Sequence, residues 1–237
     1  MTLERNGREA WPPELTDLLR KVDRLRRAGR YAEALERMNG LVEHHPRQVR
    51  VLLEMGLTLA IWGGLPADAL PWYERALALA PGHASAHLHR ALALARLGRH
   101  AEAVADFDAL AADDFRKPLG LHMTRAQALY VLGRPDAAER DWTRALDEDP
   151  ANPWLLHRRA LVRARMGRTP EALEDLTRAL ATAGEEPVDA ELLRDRGRLR
   201  ARLGDPEGAR ADFEAGRAAL REGDPAELRD SLHHDPA

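Results

Sequence analysis

The chain has 237 residues, with 36 Lys+Arg against 39 Asp+Glu, 44% AVILMFWYC residues and 5% aromatics, and it contains no Cys. That apolar content excludes wholesale disorder, and a formal charge of −3 argues against a general nucleic-acid-coating role. Without Cys there is no disulfide, thiolate nucleophile, iron–sulfur cluster or Cys-ligated zinc.

The start, MTLERNGREAWPPEL, holds no apolar stretch of the kind a secretory signal needs. No window approaches eighteen uncharged apolar residues, so no membrane span is expected and the expected location is cytoplasmic, in a bacterial-type protein. Residues 1–14, with Trp11–Pro12–Pro13, read as an extended lead-in.

From residue 15 to about residue 222 one pattern occurs six times. Its marker is a glycine: Gly29, Gly64, Gly98, Gly133, Gly167 and Gly204, at intervals of 35, 34, 35, 34 and 37. Five residues after each comes an alanine: Ala34, Ala69, Ala103, Ala138, Ala172 and Ala209. Four residues further stands a large apolar residue: Met38, Tyr73, Phe107, Trp142, Leu176 or Phe213. Each glycine follows an amphipathic stretch such as LHRALALARLG, with apolar residues at helical spacing. Glycine accepts the left-handed conformation that stops a helix. Pro66, Pro135 and Pro206 then sit where a first helical turn suits proline. Each unit thus predicts two antiparallel helices. The small alanine lets them approach, and the bulky residue one turn on fills the seam. One pair cannot bury that face, but stacked neighbours can.

The period, the Gly–x4–Ala–x3–bulky core and the closing Pro46, Pro81 and Pro150 closely resemble the tetratricopeptide repeat. The resemblance implies an all-α, right-handed α-solenoid of about six antiparallel helix pairs, with units starting near residues 15, 49, 84, 119, 153 and 190. The family's aromatic opening is degraded here, and only Met55–Gly56 and Gly197 keep part of it. The second repeat carries one extra residue near Gly63–Gly64, and the third closes on Phe115 instead of Pro. The join before the sixth is longer, around Glu185–Glu186–Pro187. Pro71 falls inside a helix, where a kink is expected. Residues 223–237 read either as a capping helix (Pro225–Leu232) or as a tail.

Catalytic motifs are absent. The only serines, Ser85 and Ser231, sit in no nucleophile elbow, and no phosphate-binding Gly-rich loop is present. Acidic pairs such as Asp106/Asp108 and Asp113/Asp114 read as solvated helix faces or turns. His83, His87 and His89 are the best metal candidate, yet they lack a shared face and a nearby carboxylate in sequence. No catalytic residue, cofactor or metal is therefore expected.

The family resemblance also implies a concave groove lined by the first helix of each repeat. Carried onto this chain, its contact positions include Arg20, Arg27, Leu57, Ile61, Leu92, Arg96, Met123, Gln127, Tyr130, Trp154, Arg158, Leu161, Arg165, Arg194 and Arg198. Two features stand out. An apolar strip runs through Leu53, Leu57, Ile61, Leu88, Leu92, Met123, Tyr130 and Trp154. Its leucines read equally as packing between first helices, whereas Tyr130 and Trp154, large and amphipathic, read as contacts. Arginines gather towards the ends, and an Arg fork suits a carboxylate. The competing reading of those arginines is pairing with Asp23, Glu191 and Asp195 inside the chain. The carboxylate clamp of chaperone-binding members is not matched, since Leu19 and Asp23 stand where Lys and Asn would be needed.

These readings converge on a non-catalytic scaffold or adaptor that holds a protein or peptide segment, partly acidic and partly apolar, in its groove. Nucleic acid and membrane are not expected partners. One alternative is self-association, with the groove receiving the N-terminal segment of a neighbouring copy. Another is an enzyme or small-ligand carrier on a helical scaffold.

Overall fold

The computed structural model of the chain describes residues 13–111, 119–182 and 190–222, and every element among them is helical. Lead-in residues 1–12, Phe115, Asp113–Asp114, the Glu185–Pro187 join and the 223–237 stretch lie outside the described residues. The chain divides into two compact units, residues 1–116 and 117–237. The first holds α1 (Pro13–Arg27), α2 (Tyr31–His44), α3 (Val49–Leu57) continued by a π-helical turn (Thr58–Trp62), α4 (Pro66–Leu79), α5 (Ala84–Arg96) and α6 (His100–Ala111). The second holds α7 (Leu119–Val131), α8 (Pro135–Glu148), α9 (Pro153–Arg165), α10 (Thr169–Thr182), α11 (Ala190–Arg202) and α12 (Pro206–Glu222). Within each unit every helix packs on the next in sequence, which makes each a stack of three helix pairs. The first helix takes in Pro13 and Glu14, and α4 continues through Pro71.

The six marker glycines all have positive φ, between 66° and 79°. They close the first helix of each pair by a Schellman motif. In the first repeat the Gly29 amide donates to the Arg26 carbonyl at 3.0 Å and Arg30 to Leu25 at 2.9 Å. The third to sixth repeats repeat this pattern, as in Gly98 to Ala95 and Arg99 to Leu94. The second repeat differs by one residue. There Gly63 donates five residues back to Thr58, where Ala28 reaches four back to Arg24, and Leu65 donates six back to Leu59, where Arg30 reaches five. The extra residue seen in the sequence is thus absorbed as a π-helical turn, the usual form of a one-residue helical insertion. It advances the register by one, so Trp62 takes the place that Arg96 and Arg165 hold two residues before their glycines.

The seam is built as the pattern predicts. Met38, Tyr73, Phe107, Trp142 and Leu176 are at most 1% exposed, each on the second helix of its pair. Opposite them the first helix carries a small residue in most repeats: Gly56, Ala91, Ala126, Ala160 and Gly197. A Cβ on Gly56 would overlap the Tyr73 ring, and one on Gly197 would lie 2.8 Å from Phe213 Cε1. These two glycines keep the aromatic seam closed.

A second pattern runs beside the seam. Eight residues before the glycine stands an Arg, and eight after it an Asp. The pairs are Arg90–Asp106, Arg125–Asp141, Arg159–Asp175 and Arg196–Asp212. The four carboxylates are 1–3% exposed. Arg90 reaches Asp106 with two bonds of 2.7 Å, and Arg159 reaches Asp175 at 2.9 and 2.7 Å. Asp106 is therefore not on a solvated face. Its helix turns it inward onto the neighbouring helix of the same pair, where Arg90 and His87 satisfy it, while Asp108 stays exposed. A buried carboxylate survives only when paired and hydrogen-bonded, which these are.

Candidate functional site

The first helices of each unit place the residues singled out from the sequence. In the first unit Arg20 is exposed and paired with Asp17 at 3.0 Å, and Arg27 with Asp23 at 3.0 Å. Leu57 and Leu92 are half-buried between helices, whereas Ile61 is 59% exposed. Arg96 Nη1 donates to the Ala60 carbonyl at 2.8 Å, binding α5 to the end of the preceding first helix. Leu53, placed in the apolar strip, is buried and belongs to the core. Arg26 is also buried; it donates to Glu54 Oε2 at 2.9 Å and to Thr58 Oγ1 at 2.7 Å. A 350 Å³ cleft lies between α1 and α3, lined by Thr16, Leu19, Arg20, Asp23, Arg50 and Glu54. Its two arginines face two carboxylates, so it has little net preference for either sign.

Trp62, 44% exposed beside Ile61, is the residue that sequence numbering passes over. Counting from the start of the unit places Ile61 in the final groove position. Counting back from Gly64 places Trp62 there. The one-residue excess in the first interval, Gly29 to Gly64, was the signal.

The second unit brings several of its predicted residues into contact. Trp154 is 43% exposed at the start of α9. Its ring stands edge-on to the fully buried Trp142 (centroids 5.4 Å apart, 77°), and the Arg158 guanidinium lies 5.0 Å from its centroid. Arg165 lies 5.0 Å over Tyr130 and donates to the Tyr130 carbonyl at 3.2 Å, linking α9 to α7. Met123 and Leu161 are half-buried and Gln127 is exposed. Two stacked cation–aromatic pairs thus stand on the first-helix face, preformed and partly open to solvent.

Towards α11 the arginines gather round one carboxylate. His157 Nε2 donates to Asp195 Oδ2 at 2.9 Å, while Arg194 and Arg198 approach Oδ1 at 3.7 and 3.4 Å. Leu161, Ala164, Asp195, Arg198 and Arg202 share the lining of a 140 Å³ cavity with Ala160, Leu176 and Leu199. Burial alone pushes the Asp195 carboxyl up. The His157 hydrogen bond and the charges of His157, Arg194 and Arg198 outweigh it and hold the group below its ordinary range. A carboxylate depressed by folding contributes stability above its unfolded pKa and loses it as pH falls through the folded value. Asp195→Asn is expected to flatten the acid limb of the second unit's stability curve below about pH 4. Chemical denaturation at a series of pH values checks this, and superimposable limbs would refute it.

The three clustered histidines serve three structural purposes. His83 Nδ1 accepts the Ala86 amide and caps α5. His87 Nδ1 meets Asp106 at 2.8 Å and its Nε2 meets the Pro81 carbonyl at 2.8 Å. His89 stacks on Tyr73, and burial pushes its imidazole below the ordinary range. The carboxylate absent from the neighbouring sequence is Asp106, nineteen residues after His87 and eight beyond the turn glycine Gly98. Among the described residues no helix is long and apolar enough to cross a membrane.

Known proteins agree on the architecture. A tetratricopeptide repeat family model matches residues 19–83, 63–117 and 123–156, and a second matches residues 152–222. Comparison with curated protein sequences finds no match. Among solved structures, PilW, a type IV pilus biogenesis factor, is 19% identical (TM-score 0.70), over 94% of this chain and 100% of its own. YrrB, a repeat protein with an unusual peptide-binding site, is 17% identical (TM-score 0.68), over 78% of this chain and 93% of its own. A tetratricopeptide repeat protein from Parabacteroides merdae is 23% identical (TM-score 0.57), over 96% of this chain and 86% of its own. At these identities the likeness is one of fold. Family matches over more than half of its length, six glycine-stopped first helices and a small-on-bulky seam establish that the chain belongs to the tetratricopeptide repeat family.

Proposed function

We propose that the chain is a non-catalytic scaffold that holds a peptide or protein segment, partly acidic and partly apolar, on the face made by its first helices. Tetratricopeptide arrays generally serve as interaction scaffolds, and YrrB carries a peptide-binding site. The observation that carries the reading is the pair of preformed aromatic anchors in the second unit. Trp154 is large, 43% exposed and braced by buried Trp142, so little rotamer freedom is lost when a partner covers it. Arg158 and Arg165 sit on the aromatic faces with no acid paired to them among the described residues, leaving donors for a partner's carboxylates. Arg20, Arg27, Arg194 and Arg198 already hold intrachain carboxylates and contribute steering more than contact. On the first helices of the first unit stand Leu57, Ile61, Trp62, Leu92 and Arg96, and on those of the second Met123, Gln127 and Leu161.

Peptides selected from a random display library on the immobilised protein, then titrated by fluorescence anisotropy, test the reading. Tyr130→Ala with Trp154→Ala is expected to weaken binding at least thirtyfold, the loss of about one 2 kcal/mol anchor or more. Circular dichroism should stay unchanged. Equal affinity in the double variant would take the first-helix face out of consideration.

A further inference from the structure

The N-terminal repeat departs from the third to sixth repeats in the charges beside its seam. In the third to sixth repeats the positions eight before and eight after the turn glycine hold the Arg–Asp pairs described above. In the first repeat the same two positions hold Lys21 and Arg37. The shared register sets these two cations opposite each other where the third to sixth repeats oppose a cation to a carboxylate. Both are exposed, and neither has an ion partner among the described residues.

The surface beside them is apolar and open. Leu18 is half-buried, although its counterparts Leu52, Leu156 and Leu193 are 0–6% exposed. Leu25 is half-buried where Leu94 and Leu129 are 0–3% exposed. In the second, third and fifth repeats the proline carbonyl of the incoming loop is held from the second or first helix. Arg75 donates to Pro46, Arg178 to Pro150, and His87 to Pro81. The first repeat has Gly40 in the place of Arg75 and Arg178, and so has no arm there. A cleft of 390 Å³ results, lined by Leu18, Val22, Arg37, Gly40, Leu41 and the His44–His45 pair.

The missing feature is a carboxylate flanked by aliphatic side chains, and the chain's own end carries that chemistry. Residues 223–237, outside the described set, read GDPAELRDSLHHDPA. Leu228 and Leu232 stand four apart, and Asp224, Glu227, Asp230 and Asp235 face a single arginine, Arg229. We propose that the cleft between α1 and α2 receives the acidic C-terminal segment of a second copy, in head-to-tail association. Its leucines lie against Leu18, Val22 and Leu41, and its carboxylates fall between Lys21 and Arg37. This surface is separate from the first-helix face. A contact of two different patches leaves one free cleft and one free tail at the ends of every open oligomer, so it extends until a ring closes or an end is blocked.

That asymmetry supplies the test, by sedimentation equilibrium of the full chain at low salt. The wild type is expected to show a mass that rises with concentration beyond twice 26.4 kDa. Lys21→Glu with Arg37→Glu blocks the cleft without touching the core, and Leu228→Ser with Leu232→Ser blocks the tail. Each variant alone should stay at 26.4 kDa. Their equimolar mixture, with one intact cleft and one intact tail between two chains, should stop at the dimer. A wild type that is monomeric at every concentration overturns the proposal, whatever else binds the cleft. So does a variant that associates like the wild type, or a mixture that stays monomeric. None of these outcomes bears on peptide binding at Tyr130 and Trp154.

Discussion

Asp175→Asn should cost about 3–5 kcal/mol, the usual consequence of removing one partner from a buried ion pair. Asp175 is 1% exposed and accepts from Arg159 at 2.9 and 2.7 Å and from Arg163 at 2.8 Å. Asparagine keeps the shape but takes away the charge that two poorly solvated guanidinium groups depend on. Arg163 retains Glu139 at 2.8 Å, whereas Arg159 keeps only a 3.4 Å contact to Thr143, so the loss falls mainly on Arg159. Urea denaturation should show a lower midpoint with the slope little changed, since the surface exposed on unfolding stays the same. The exposed pair Arg30–Glu33 supplies the contrast: Glu33→Ala should leave the midpoint almost unmoved. Replacing both partners, Asp175→Leu with Arg159→Met, should recover much of the loss, because an apolar pair carries no desolvation penalty. A midpoint unmoved by Asp175→Asn would mean that the carboxylate contributes nothing to the fold.

The second large effect is expected at Gly56, where two opposed terms set the sign. Glycine inside a helix is about 1 kcal/mol worse than alanine, so Gly56→Ala should stabilise an isolated α3. In the folded chain the new Cβ overlaps the Tyr73 ring, which is fully buried and has no space to retreat. Overpacking costs about 1–3 kcal/mol, so a net loss is expected, larger still for Gly56→Val. The fifth repeat shows what would relieve it. There the register sets Ala160 opposite Leu176, a combination this fold already uses. Gly56→Ala together with Tyr73→Leu should therefore be less destabilised than the sum of the two single changes, by at least about 1 kcal/mol. Strict additivity in that cycle, read from thermal or urea unfolding, would show that the small residue is not what admits the ring.

These two sites differ in how far the sequence discloses them. The helix pairs were legible because their signals are local. A glycine with positive φ, an alanine five residues on and a bulky residue four beyond act within one or two turns of chain. Even the irregular second repeat announced itself as an interval of 35 between Gly29 and Gly64. Asp106 was misread for the opposite reason. A carboxylate judged by its immediate neighbours belongs at a surface, and only the closing of the α5–α6 hairpin brings Arg90 and His87 to it. The Arg–Asp pairs lie sixteen residues apart, at equal distances either side of the glycine, so counting outward from each turn would have revealed them.

By itself, then, the sequence determined the period, the helices and the residues of the seam, because steric fit and backbone conformation at each turn depend on few residues. Tertiary structure alone decided which polar side chains are buried, that Arg158 and Arg165 rest on aromatic rings, and that the extra residue of the second repeat is taken up as a π-helical turn. Those outcomes depend on the distance between helices. That distance is set by packing across the whole pair, where one inserted residue or one missing Cβ changes what can meet.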